Sequence, residues 1–83
     1  MSSETQDLTE HFAHCIQVLG GATSASRRLG IDERAIRRFT SGERPVSISL
    51  MADTAKALQA LIAEATSAEG HIATVFAAQP NRP

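Results

Sequence analysis

The chain has 83 residues, room for one small domain, and with three Phe and no Trp or Tyr its core must be assembled from Leu, Ile, Val, Met and Ala. A net charge of −1 argues on its own against a nucleic-acid partner, and a single cysteine excludes an internal disulfide. No apolar run approaches the roughly 20 residues of a membrane span, and the opening MSSETQDLTEHF lacks the basic and apolar regions of a signal peptide, so a cytoplasmic, nucleoid-associated location and no membrane partner are expected.

Glycine and proline sit mostly at turn-like positions and no segment alternates with period two, which predicts an all-α fold of four to five short helices in one domain, 1–83. Residues 1–5 are small and polar and are expected to fray, with Ser3 or Thr5 capping a first helix over 6–19. Its apolar positions Leu8, Phe12, Cys15, Ile16 and Leu19 form a single buried stripe. Gly20 and Gly21 end it, because glycine adopts the left-handed geometry of a helix stop at little cost.

A second helix is expected over 22–29, with Ala25 and Leu29 inward and Thr23, Ser24, Arg27 and Arg28 toward solvent or phosphate. Gly30 supplies a tight turn, Ile31 anchors it in the core, and Asp32 caps a third helix over 33–41. On a 3.6-residue wheel Ala35, Ile36 and Phe39 fall on one side of that helix, and Glu33, Arg34, Arg37, Arg38 and Ser41 on the other. Gly42 stops it, and Glu43-Arg44-Pro45-Val46 is a loop stiffened by proline.

Ser47 or Ser49 is expected to cap a long fourth helix over 48–67, whose Ile48, Met51, Ala55, Leu58, Leu61, Ile62 and Ala65 cover nearly half its circumference. Gly70 is expected to break it, leaving a short fifth helix over 71–78 before Pro80 and Pro83. This is more apolar surface than four short helices need. Leu61, Ile62, Ile72, Val75 and Phe76 could simply roof the core, but a two-fold interface in a homodimer is the favoured expectation for them.

Charge is unevenly placed along the chain. Between residues 27 and 44 lie Arg27, Arg28, Arg34, Arg37, Arg38 and Arg44 against Asp32, Glu33 and Glu43, six cations to three anions. The remainder sets Lys56 and Arg82 against six carboxylates. Local charge governs the attraction of a polyanion within a Debye length of about 8 Å, so the basic patch outweighs the average.

The pattern Gly20-Gly21, four residues, a small Ser26, Leu29-Gly30-Ile31, then Ile36, Phe39 and Gly42-Glu43-Arg44-Pro45 resembles the helix-turn-helix of phage Cro and repressor-type regulators, a lambda-repressor-like fold. The resemblance covers residues 19–58. It implies sequence-specific binding of double-stranded DNA, as a dimeric transcriptional repressor on an inverted-repeat operator. By position, Arg34, Arg37 and Arg38, with Glu33 and Ser41 beside them, would read base edges from the third helix in the major groove. Thr23, Ser24 and the start of the second helix would hold a phosphate, and Arg44 a second one. Arg27 and Arg28 are further phosphate candidates, although Arg28 could instead pair with a carboxylate of the first or fourth helix. The chain departs from the family at Ser26, where alanine is usual, and at Asp32-Glu33, where neutral polar residues are commoner. Such carboxylates suit the site if they accept from cytosine N4 or orient Arg37 through an i,i+4 pair.

Other chemistry finds little purchase. His11 and His14 are three apart but lack a convergent third ligand beyond the buried Cys15, so no metal or cofactor is expected. No nucleophile is paired with a base and the carboxylates are scattered, so no enzyme is expected. The competing expectation is a helix-turn-helix fold that binds another protein, such as an antitoxin that masks its partner with an apolar C-terminal half.

Overall fold

The structure, a computed structural model, describes residues 3–77, with side chains from residue 8 onward. The described chain is all helical: α1 (Ser3–Val18), α2 (Ala22–Leu29), α3 (Glu33–Thr40) and α4 (Ile48–Ala77). Helix α1 starts earlier than its capping pattern suggests, so Ser3 and Thr5 lie within the helix, and 3–5 are not frayed.

The first corner closes through Gly20 and Gly21. Gly20, at φ 103°, donates its N–H to Gln17 O at 3.0 Å, and Gly21 donates to Ile16 O at 2.9 Å. This paired pattern satisfies the last carbonyls of α1 and reverses the chain within two residues. The second corner closes at Gly30, which is left-handed at φ 69° and donates to Ser26 O at 2.9 Å. Ser26 reinforces the same turn: its Oγ donates to Ile31 O at 2.6 Å. Ser26 thus ties α2 to the start of α3. Asp32 occupies the N-cap position of α3, but its side chain makes no capping hydrogen bond. Ser47 caps α4, its Oγ accepting from Leu50 N–H at 3.0 Å.

Phe12, Ile16, Leu19, Ala25, Ile36, Val46 and Ala57 form the buried core, with Leu8, Ala22, Leu29, Ile31, Phe39, Leu50, Met51, Leu58 and Leu61 packed around it. Phe12 is completely buried and meets Phe39 edge to face, ring centroids 5.8 Å apart. The first half of α4 closes this core with Thr54, also fully buried, whose hydroxyl donates to Leu50 O at 2.8 Å and so needs no other partner. Ile48, expected on the buried face, is 75 % exposed because it lies in the opening turn of α4, outside that core.

Two expectations for the C-terminal region are corrected. Gly70 does not break the helix and there is no separate fifth helix over 71–77; α4 runs unbroken for 30 residues, and Ala78 lies outside the described residues. An interior glycine costs about 1 kcal/mol relative to alanine, too little to outweigh the alanine-rich turns on either side, and Thr74 Oγ1 adds a local bond to Gly70 O at 2.9 Å. A helix of that length spans about 45 Å at 1.5 Å per residue. The molecule measures 60 × 24 × 22 Å, so the second half of α4 extends beyond the three-helix body.

The core predicts its own weak point. Phe12→Ala should cost about 3–5 kcal/mol, most of the stability expected of so small a domain, and collapse the urea transition followed by far-ultraviolet circular dichroism. A loss below about 1 kcal/mol would mean that Phe12 does not centre the core.

Candidate nucleic-acid interface

Helix α3 is short and strongly two-faced. Ile36 and Phe39 hold its inner side against the core, and among the described residues no Cα of α4 comes within 8 Å of one in α3. The outer side is therefore uncovered. Arg34, Arg37 and Arg38 are all exposed there, within an arc of about 100° at 100° per residue. Of the three, Arg34 makes no ion pair among the described residues, while Arg37 Nη2 lies 3.3 Å from Glu33 Oε1 and Arg38 Nε 3.8 Å from Glu43 Oε2. The expected i,i+4 pairing of Glu33 with Arg37 is thus present. Both pairs are solvent-exposed, the arginine side chains 67 % and 52 % accessible, and such pairs are worth about 0–1 kcal/mol. They aim the guanidinium groups without holding them back from a stronger anion.

The loop after α3 is knitted to its end. Ser41 Oγ donates to Arg38 O at 3.1 Å and accepts from Glu43 N–H at 3.3 Å, while Arg44 N–H donates to Arg38 O at 3.1 Å. Ser41, a candidate base reader by sequence, is therefore engaged in shaping the turn. The Arg44 guanidinium lies 5.2 Å from the centroid of the Phe39 ring, a cation–π contact that fixes an exposed charge beside the arginine face. Nothing in the local pattern foretold this stacking, although an arginine five residues after an aromatic at a helix end is the signal that could have.

On α2 the candidates divide. Thr23 and Arg27 are exposed, and Arg27 forms no ion pair among the described residues. Ser24 is half-buried against the α1–α2 corner, where a Cβ at Gly20 would come within 3.2 Å of its Cβ and Oγ. The N-cap of α2 is Gly21, which has no side chain to accept from the first amides of the helix. Arg28 belongs to a different arrangement. Its two terminal nitrogens donate to the two carboxylate oxygens of Glu64 on α4, at 3.1 and 2.6 Å. Between the two readings open for Arg28, the structure takes the pairing with α4 and leaves the phosphate role without support. The hydrogen bond and the charge of Arg28 hold the Glu64 carboxyl below its ordinary range, and the same bond holds the guanidinium pKa up.

The other sequence candidates sit apart from this face. Cys15 is buried, and that burial pushes its thiol pKa up, which keeps it in the unreactive protonated form. His11 and His14 are exposed, and among the described residues no three His, Cys, Asp or Glu side chains gather where a metal ion could sit. Leu61 packs on the core, whereas Ile62, Ile72, Val75 and Phe76 are 64, 54, 44 and 58 % exposed along the extended half of α4. No described helix is long and apolar enough to cross a membrane. No family model, no curated protein and no solved structure matches the chain.

The Arg28–Glu64 fork makes stability depend on acidity in a defined direction. A carboxyl whose folded pKa is depressed contributes stability above its unfolded pKa and loses it as pH falls through the folded value. Thermal denaturation midpoints should therefore drop from neutral pH into the acid side of the carboxylate range more steeply in the parent than in Glu64→Gln. Parallel curves would show that the fork contributes nothing to holding α4 on α2.

Proposed function

We propose that this protein is a sequence-specific double-stranded DNA-binding regulator, a transcriptional repressor that acts as a homodimer on an inverted-repeat operator. The reading rests on one observation above the others: Arg34, Arg37 and Arg38 share an outward arc of a helix that no other described segment covers. A helix pair with a tight corner can lay its second helix in a major groove about 12 Å wide, where each arginine can donate two bonds to guanine O6 and N7. On this reading Arg44, held by Phe39 and by the loop, and the exposed Arg27 and Thr23 on α2 serve as phosphate contacts. Glu33 pairs with Arg37, and on this reading its carboxylate accepts from cytosine N4. The likeness of the Gly20–Pro45 pattern to Cro and repressor-type regulators points the same way.

The exposed apolar side chains of α4 favour a second reading, in which this half of the molecule masks another protein, as an antitoxin does. The two are compatible in one molecule, and they differ in where the binding energy lies. A protein complex made by the second half of α4 would be insensitive to salt and to charge removal in α3.

Selection from a random DNA pool should return an inverted repeat. On the selected site, Arg37→Ala and Arg38→Ala should each cost about 1–3 kcal/mol of discrimination per lost guanine contact, with circular dichroism unchanged. Arg44→Ala should weaken all sequences alike and lower the slope of log K against log salt by about 0.9. Retention of parental affinity and specificity by both α3 variants would rule out α3 as the reading helix.

A further inference from the structure

The extended half of α4 continues a pattern that its first half has already used. Met51, Thr54, Leu58 and Leu61 are spaced three, four and three apart and face the chain's own core. The same steps carry on without a slip through Ala65, Ala68, Ile72 and Val75. That is the a/d row of a heptad repeat, the spacing that keeps one seam of a helix facing a partner helix. Along residues 51–61 the seam is packed against the body. Along 65–75 all four seam residues are exposed, and Ile62 and Phe76 flank them on one side of the row.

The order of sizes along the free seam identifies what fits it. Two small residues come first and two β-branched residues follow. A second copy running parallel would set alanine on alanine at one end and Ile72 on Ile72 and Val75 on Val75 at the other, a wedge that is loose at one end and crowded at the other. A second copy running antiparallel sets Ala65 against the partner's Val75 and Ala68 against the partner's Ile72. The two-fold axis repeats both pairs. Every layer then holds one small and one large side chain, so the helices stay at constant separation. The same register brings Ile62 beside the partner's Phe76 at each end, covering the large exposed side chains of the arm together. A self-complementary row of this kind is what a two-fold contact between identical surfaces requires.

We propose that the arm of α4, residues 62–77, pairs antiparallel with the arm of a second copy through Ala65, Ala68, Ile72 and Val75. The proposal deepens the homodimer of the proposed function and is independent of its DNA-binding half. Each arm takes up, along its partner's seam, the position that the body occupies further along the same helix. The axis falls at the level of Gly70, and the two bodies lie at opposite ends of the paired arms. Glu69 sits next to the seam on the Ile62 and Phe76 side, so it faces the partner's Glu69 across the axis, the one like-charged contact in the register.

Disulfide trapping without DNA tests the pairing. Cys15 is buried and stays in place, with the unsubstituted protein oxidised alongside as control. The double variant A65C/V75C should oxidise to a covalent dimer, as should an equal mixture of A65C and V75C chains. Neither single variant alone should do so, because in this register residue 65 lies about 15 Å along the axis from its own copy. Sedimentation of the reduced parent should show a dimer, Ile72→Asp and Val75→Asp should abolish it with helicity retained, and E69Q should tighten it severalfold by removing the facing charges. Rapid cross-linking of either single variant would establish a parallel pair and overturn the proposal. A parent that sediments as a monomer, with no cross-link in the double variant, would overturn it as well and leave the arm to another protein. Loss of DNA binding in the α3 variants would not alter any of these readouts.

Discussion

The contact on which the rest of this molecule depends is the meeting of Phe12 and Phe39. Phe12, fully buried in α1, takes the ring of Phe39 edge-on, and Ile36, one turn earlier on α3, is buried in the same core. Eight residues are too few for a stable helix in water by themselves. Helix α3 exists because its two large apolar residues are anchored, and the anchor fixes its rotation. Once Ile36 and Phe39 point inward, helical geometry leaves Arg34, Arg37 and Arg38 no direction but outward. Phe39 also carries the Arg44 guanidinium, so one aromatic side chain positions both the helix and the loop that follows it.

Much of this was legible in the residues. The bounds of α2, 22–29, follow from paired glycines on one side and a single glycine on the other, and the observed positive φ values at Gly20, Gly21, Gly30 and Gly42 explain why those signals are strong. The buried stripe of α1 is local periodicity, as is the division of α3 into two faces. Gly70 was misleading because a glycine marks a corner only where the backbone needs positive φ, and inside an alanine-rich helix it is merely a weak residue. At the candidate site, exposure of the three α3 arginines and the Glu33–Arg37 pair could be read from spacing alone. The Arg28–Glu64 fork could not, since its members are 36 residues apart and only the packing of α4 on α2 brings them together. Nor could the engagement of Ser41, which depends on how the chain turns after α3.

The same packing explains how a chain of net charge −1 concentrates cations. Arg28 is the one arginine of the 27–44 window with a bidentate carboxylate partner, and that partner comes from the acidic part of the chain. Its charge is spent on holding α4 to α2. The remaining arginines of the window are exposed, and those with carboxylate neighbours meet them at 3.3 Å or more in open solvent, where attraction is weak. Net charge is thus a poor guide here: within the 27–44 window Glu33 and Glu43 pair only weakly with arginines of α3, which leaves Asp32 at its N-cap position as the one further carboxylate there.

Helix α4 joins two surfaces of opposite character, and its continuity decides whether they act together. A break at Gly70 would have let the apolar tail fold back and roof the core. An unbroken helix cannot do that, because it is fixed in the body by Thr54, Ala57 and, at the start of its second half, the Arg28–Glu64 fork, and the residues beyond Glu64 must follow the same axis. The apolar side chains beyond Leu61 are therefore held away from their own core by the rigidity of the element that carries them. Contiguous exposed apolar side chains on so small a molecule favour association. With α3 anchored on Phe12 and the arm anchored on α2, the angle between the arginine face and the apolar seam is set within each copy. On the proposed reading, pairing of the arms would set the distance between two reading helices before any DNA is met, and an operator would be selected for spacing as well as for sequence.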